Sequence, residues 1–189
     1  GERFDGHDFI EEAKNKKAAA IVLSDTTKSI SKENSVSSII RVSDTLRSLQ
    51  ELARCHREQF SLKVVGVTGT NGKSTTKEMI ASITKTKFKT IKTQGNQNNH
   101  IGLPLNLFRL SQSDEVAVIE MGMSAAGEIK RLAEIAQPEI GVLTNITEGH
   151  LTHLKTLKNI KAAKGELYDA LSERGTAIVN ADDPLVFEL

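Results

Sequence analysis

At 189 residues, with 25 basic against 24 acidic side chains and a formal net charge of +1, the chain is long enough for one sizeable core or two small ones and has no bulk attraction for nucleic acid or an anionic membrane. Its apolar runs, such as 18–23 and 116–119, are far too short to cross a bilayer, and the N-terminus lacks a basic segment followed by an apolar one. The one cysteine, Cys55, cannot close an internal disulfide, which suits a reducing compartment and makes the cytoplasm the expected location.

In chain order, Asp8 is placed to cap a helix carrying Phe9, Ile10 and Ala13, and AAAIVL then reads as a short buried strand. SSIIRV is a second strand. Ser43 and Asp44 open a predicted helix reaching residue 60, with Leu46, Leu49, Leu52 and Ala53 on one face. A boundary is expected near 59–62. A strand over 63–67 feeds a glycine turn and a helix over 73–84, followed by a strand at 90–93, the polar loop QGNQNNHIGLP and a helix near 105–110. The strand EVAVIEMG, a helix around 128–136, the strand IGVLTNI, a helix near 158–172 and the strand TAIVNADD complete the order. The alternation predicts an α/β protein: a partial small N-terminal α/β domain, then a mostly parallel sheet of P-loop NTPase type flanked by helices.

The glycine turn reads G-T-N-G-K-S between an apolar strand and a helix. Glycines let the backbone turn tightly and bring N–H groups close to phosphate oxygens, and the helix N-terminus adds partial positive charge. Gly69, Thr70, Asn71, Gly72, Lys73, Ser74 and Thr75 are the expected nucleotide-binding residues. Lys73 would reach the outer phosphates and the Ser74 hydroxyl a magnesium ion. The strict spacing asks for a glycine where Val67 stands, although Gly66 and Gly69 still supply permissive positions. The competing reading is an ordinary turn with a solvent-facing lysine.

Ligands of an open parallel sheet bind beyond the carboxyl ends of its strands. Glu120 ends VAVIE, and is either a ligand for a hard cation or a solvated strand-end acid. His150 follows VLTNITEG, and is either a ligand for a second cation or an exposed loop histidine. Lys164, in KAAKGEL, reads by itself as an exposed helix lysine. The amides of the 94–99 loop, Asn98 and Asn99 among them, can donate to phosphate or sugar oxygens, and are equally at home in plain turns.

Taken together, RFDGHDFIEEAKNKKAAAIVL, GTNGKSTTKEM, GNQNNHIGLPLNL, VIEMGMSAAGEI, TNITEGHLTHLKTLKNIKAAKGEL and VNADDP resemble, in order and across nearly the whole chain, the Mur ligases. Among these, GNQNNHIG with EMG and GEI resembles most the members that add D-alanyl-D-alanine to UDP-N-acetylmuramoyl-tripeptide. The resemblance implies ATP and Mg2+ as cofactors, those two molecules as substrates, and amide formation through an acyl phosphate in peptidoglycan precursor synthesis. It implies Lys73, His150 and Lys164 as catalytic, Ser74, Glu120, His150 and Lys164 as metal-holding, Lys164 as a lysine that carbon dioxide can carbamylate, and Asn98 and Asn99 as substrate contacts. It also implies that residues 1–61 are part of a UDP-substrate-binding N-terminal domain and 62–189 part of a central ATP-binding domain, with the C-terminal domain absent. Such a fragment is expected not to turn over by itself, and the complete enzyme is expected to be a monomer. The alternatives are another Mur-type or folylpolyglutamate-type ligase, or a nucleotide-binding module without ligase chemistry.

Overall fold

The computed structural model describes residues 5–24, 38–148, 154 and 156–189, and the chain divides into two compact units, 1–49 and 50–189. In the first, the Asp5 carboxylate accepts from His7 N at 3.0 Å and opens a 3-10 turn, Gly6–Phe9, that runs into α1, Ile10–Asn15. The cap comes from Asp5, and Asp8 lies inside the turn. Strand β1, Ala20–Ser24, pairs in parallel with β2, Ser38–Val42. Ile10, Ile21 and Leu23 form the unit's small core.

Helix α2, Thr45–Arg57, passes from the first unit into the second, with Asp44 Oδ1 accepting from Arg47 N at 2.9 Å as its cap. Its buried residues are Gln50, Ala53 and Arg57, whereas Leu52 is 54% exposed. Of the apolar stripe expected from the sequence, Ala53 is buried and Leu49 half-buried, whereas Leu46 and Leu52 are exposed. Polar heads win here because they find acceptors: Arg57 donates to the carbonyls of Ala136, Phe60 and Leu62 at 3.1, 2.8 and 3.4 Å.

The second unit is built on five parallel strands in the order β4-β5-β3-β6-β7. These are β3 (Lys63–Thr68), β4 (Thr90–Lys92), β5 (Val116–Glu120), β6 (Ile140–Leu143) and β7 (Thr176–Val179). Between them run α3 (Lys73–Thr84), α4 (Gly102–Leu107), α5 (Glu128–Ala136) and α6 (Leu157–Asp169), and α7 (Pro184–Phe187) follows β7. Alternate residues of the central strands serve two covered faces. Val65, Val67, Val116 and Val118 pack with Ala81 of α3, while Val64, Ala117 and Ile119 join a larger cluster with Leu103, Leu107, Leu132, Ile160 and Leu167. Helix α4 begins earlier than its apolar pattern suggests, because Asn99 Oδ1 accepts from Ile101 N and Gly102 N at 3.1 and 2.8 Å. Helix α7 was not expected, and forms because Asp183 Oδ1 accepts from Leu185 N and Val186 N ahead of Pro184 at the first turn.

The topology fixes where a ligand can sit. Strand β3 sends the chain to one side of the sheet, toward β4, and its neighbour β6 sends it to the other, toward β7. Their carboxyl ends therefore flank a switch point, where the connecting loops separate and leave a crevice.

Candidate functional site

The turn after β3 occupies that switch point. Gly69 has φ +147°, and a Cβ there would overlap Thr144 Oγ1, so neither the backbone nor the space admits a side chain. Gly72 adopts the left-handed region at φ 79° and ψ 0° as the residue before α3. The first half of the turn is braced against the segment after β6. Thr70 N and Asn71 N donate to the carbonyl and side-chain oxygens of Asn145, each at 2.9 Å, and the Thr70 hydroxyl accepts from Thr147 N at 3.0 Å. Thr144 Oγ1 donates to Asn71 O at 2.6 Å. This brace is anchored in turn, since Asn180 Nδ2 donates to Thr144 O at 2.8 Å and Ile146 N donates to Asp183 Oδ2 at 2.7 Å.

The second half of the turn is open. The amides of Lys73, Ser74 and Thr75, the first three of α3, find no acceptor among the described residues, and no side chain caps the helix. Unpaired N–H groups at a helix N-terminus form an anion site. Thr70 and Asn71, by contrast, have their amides committed to Asn145, so they hold the turn in shape. Lys73 Nζ lies back over the turn, donating to Gly69 O and Thr70 O at 3.0 and 2.9 Å. Burial lowers its pKa, with the Glu120 charge opposing the shift.

Glu120 ends β5 and is 1% exposed, which disposes of the solvated-acid reading. Its Oε1 accepts from Asn98 Nδ2 at 2.7 Å, and its amide donates to Thr93 Oγ1 at 2.9 Å. Its Oε2 is buried and accepts no hydrogen bond among the described residues, while Lys77 Nζ stands 3.4 Å away. Lys164 on α6 is likewise buried, at 1% exposure, and not the surface lysine its neighbours in sequence suggest. Burial first, and the Lys73 charge second, push its pKa down to about 8. Its helix is clamped to the start of α5, because Glu166 accepts from Gly127 N and Lys130 N at 2.7 and 2.9 Å.

Lys73, Asn98, Asn99, His100, Ser124 and Lys164 face one cleft of about 290 Å³. Asn98 spends its amide nitrogen on Glu120, and Gly122 must lack a side chain because a Cβ would come within 2.8 Å of Asn98 Oδ1. Asn99 spends its oxygen on α4 and keeps its nitrogen for the cleft. The loop is held from behind by Asn106, which donates to Gln97 O and Gly102 O at 3.2 and 2.9 Å and accepts from Gln94 N at 2.9 Å. His150 lies outside the described residues. Among those described, no group of three His, Cys, Asp or Glu side chains is arranged to hold a metal ion.

The donor set nevertheless fits magnesium in one specific way. An orphaned carboxylate oxygen and the Ser74 hydroxyl are hard donors, and Mg2+ is commonly held by one or two carboxylates together with substrate phosphates and water. Lys164 as an ammonium has no lone pair to offer, and becomes an oxygen donor only as a carbamate.

Sequence reasoning had not singled out Lys77, Asn106, Thr144, Asn145 or Glu166. One signal was available: Lys77 is four residues after Lys73, hence on the same face of α3.

Residues 67–189 match the profile of the Mur ligase middle domain. The chain is 44% identical over 186 residues to the UDP-N-acetylmuramoyl-tripeptide--D-alanyl-D-alanine ligase of Bacillus subtilis, covering 98% of this chain and 40% of the relative. It is 39% identical over 183 residues to the enzyme of the same name from Escherichia coli, covering 97% and 39%. The structure of MurF ligase from Thermotoga maritima in complex with ADP superposes with a TM-score of 0.90 at 38% identity, over 100% of this chain and 43% of that one. The chain thus spans about 40% of the length of the relatives it matches.

Proposed function

The chain belongs to the Mur ligase family, and from that premise we propose that the complete protein is a cytoplasmic enzyme that uses ATP to join D-alanyl-D-alanine to UDP-N-acetylmuramoyl-tripeptide, a step of peptidoglycan precursor synthesis. The observation that carries this reading is the conjunction at the switch point: three free amides at the start of α3, Lys73 above them, and Glu120 with one oxygen unspent. The names of the relatives supply the substrates, and the ADP in the Thermotoga complex supplies the nucleotide.

On this reading the amides of Lys73, Ser74 and Thr75 bind the β- and γ-phosphate oxygens, and Lys73 leaves the carbonyls of Gly69 and Thr70 to follow the transferring phosphoryl group. Residues 1–61 contribute to binding the UDP-bearing substrate, whose terminal carboxylate attacks the γ-phosphorus while ADP departs. The amine of D-alanyl-D-alanine then adds to the acyl-phosphate carbonyl, loses a proton, and expels inorganic phosphate to leave an amide. Magnesium, held by Ser74, Glu120 and His150, supplies charge neutralisation at the phosphates. Positioning and charge neutralisation are the main sources of acceleration in such a transfer. Asn99 and His100 face the cleft where the peptide carboxylate would lie, while Asn98 serves the site by holding Glu120.

Carbamylation of Lys164 is part of the proposal. A neutral amine is the form that attacks carbon dioxide, and a pKa of about 8 makes that form accessible near neutrality. The product replaces an ammonium that would repel magnesium with an anion that can hold it. Native mass spectrometry of the complete protein should show the added mass in wild type and not in Lys164→Met.

The direct test is ADP release by the complete protein with UDP-N-acetylmuramoyl-tripeptide and D-alanyl-D-alanine, set against single amino acids and folate substrates. Release that depends on the dipeptide is expected, and Lys73→Ala should lower it by about a thousandfold or more, as losing a principal phosphate ligand does. Equal release with a single amino acid would shift the assignment to another ligase of the fold. Nucleotide binding with no release under any acceptor would leave a binding module.

A further inference from the structure

Lys77 lies one turn beyond Lys73 on α3 and is 2% exposed, yet the chemistry above makes no use of it. A lysine buried this deeply is costly unless paired. Its ammonium stands 3.4 Å from Glu120 Oε2, 3.5 Å from Glu78 Oε1 and 3.3 Å from Gly95 O. All three distances exceed the roughly 2.7–2.9 Å of a charge-assisted hydrogen bond. Glu78 is also drawn outward, to Lys92. An ammonium whose task was to seat the carboxylate would bond it directly. Lys77 instead supplies counter-charge while leaving Glu120 Oε2 without a hydrogen bond. Lys73 faces the adjoining cleft, as do Lys164, a cation until it is carbamylated, and Glu128, whose Oε2 is committed to the amides of Ser124 and Ala125, so a bare divalent cation approaching Glu120 meets the ammonium groups of Lys73 and Lys77 in either state of Lys164. A cation arriving with a nucleotide brings the phosphate charge that outweighs them.

We propose that Lys77 is the placeholder cation of Glu120: it balances the carboxylate before metal binds, raises the threshold against a divalent ion without nucleotide, and yields Oε2 when the nucleotide brings one. The inference rests on Glu120 being the metal-holding carboxylate. Lys77 can yield because Gly95 O and Glu78 Oε1 are already within reach, so its displacement strands no buried ammonium. It is a positioning residue, acting on the metal site through Glu120.

The test uses Mn2+ as a spin probe, titrated into the complete protein without nucleotide and again with ADP, for wild type, Lys77→Met, Lys77→Arg and Glu120→Gln. Removing one nearby positive charge should tighten Mn2+ binding without nucleotide by roughly tenfold or more in Lys77→Met. Lys77→Arg, which keeps the charge, should stay near wild type, and Glu120→Gln should lose the site with and without ADP. Thermal unfolding confirms that each variant is folded, and Lys77→Gln replaces the methionine variant if that one is not. Unchanged or weaker Mn2+ binding in the uncharged variant, with Glu120→Gln still losing the site, overturns the inference and leaves the metal assignment standing. Mn2+ binding by Glu120→Gln equal to wild type removes the assignment itself, and the inference with it.

Discussion

The two edges of the five-stranded sheet differ in a way that size alone would misjudge. At the amino edge, where β3, β5 and β6 begin, lies a cavity of about 690 Å³ lined by Phe60, Leu62, Val65 and Phe88, more than twice the roughly 290 Å³ of the cleft at the carboxyl edge. Its charged neighbours are already paired. Arg57 spends its guanidinium on three carbonyls, Lys63 pairs with Glu139, and Glu115 accepts from Lys89 N at 2.8 Å. At the carboxyl edge three amides and one carboxylate oxygen lack hydrogen-bond partners among the described residues, against one such atom near the amino edge, His56 Nε2, whose ring packs on Phe60 and Phe108. Native proteins leave few buried polar groups unpaired, because each costs free energy. Unspent hydrogen-bonding capacity, rather than volume, therefore marks the functional edge.

The largest expected effect comes from closing the turn that creates this capacity. In Gly69→Ala the new methyl meets Thr144 Oγ1, lies 3.1 Å from Thr144 Cβ and 3.2 Å from Asn145 N, and sits at a φ that side chains rarely adopt. Backbone strain and overpacking together should cost about 2–5 kcal/mol of stability, read by denaturant unfolding. Because Thr144 must move and release Asn71 O, ADP affinity should fall as well. Adding Thr144→Ala should recover only part of the stability, since the φ strain remains. A Gly69→Ala protein that keeps both stability and ADP affinity would mean the turn is not held open by its brace, and the contrast between the edges would lose its basis.

The sequence made the framework legible and the wiring of the site much less so. Strand β3, the glycine turn and the helix over 73–84 were readable because each obeys a local rule: an apolar run, a backbone needing glycine, a helix free of breakers. Lys164 and Lys77 were not, since a lysine flanked by polar or small residues has the same local signature whether its helix face meets solvent or the sheet. The brace was hidden for a different reason. Thr70 and Thr147 are 77 positions apart, and only the adjacency of β3 and β6 brings them together. Asn99 looked like a turn residue, and it is, but the turn it builds is the wall of the cleft, held from behind by Asn106 of α4.

A smaller effect, of opposite sign for stability, should come from Lys164. Its pKa of about 8 in the folded protein lies below the ordinary lysine value of 10.5. Between the two the unfolded chain holds more protons, so stability rises with pH from about 8 to 10.5, and is lowest where the lysine is charged in both states. The full difference is on the order of 3 kcal/mol. Lys164→Met should flatten this rise and stabilise the protein at pH 7, measured by unfolding at a series of pH values in carbon-dioxide-free buffer without metal. A wild-type profile as flat as that of the variant would place the ammonium in contact with water, and the carboxyl edge would then hold less uncompensated charge than the comparison requires.

The smallest effect is expected at the opposite edge, where a null result is the informative one. Lys63 and Glu139 pair across the mouth of the larger cavity with side chains 69% and 43% exposed. Solvent screens such a pair, and holding two long side chains together costs entropy, so Glu139→Gln should change stability by no more than about 1 kcal/mol. ADP affinity should not change, because the substitution lies at the start of β6 and leaves the brace beyond Leu143 intact. Calorimetric titration of ADP into this variant and into Gly69→Ala, side by side, asks whether the molecule's binding energy resides where its polar groups are unspent. Loss of ADP affinity in Glu139→Gln comparable to that in Gly69→Ala would couple the two edges through β6, and volume would regain its claim as a guide to the site.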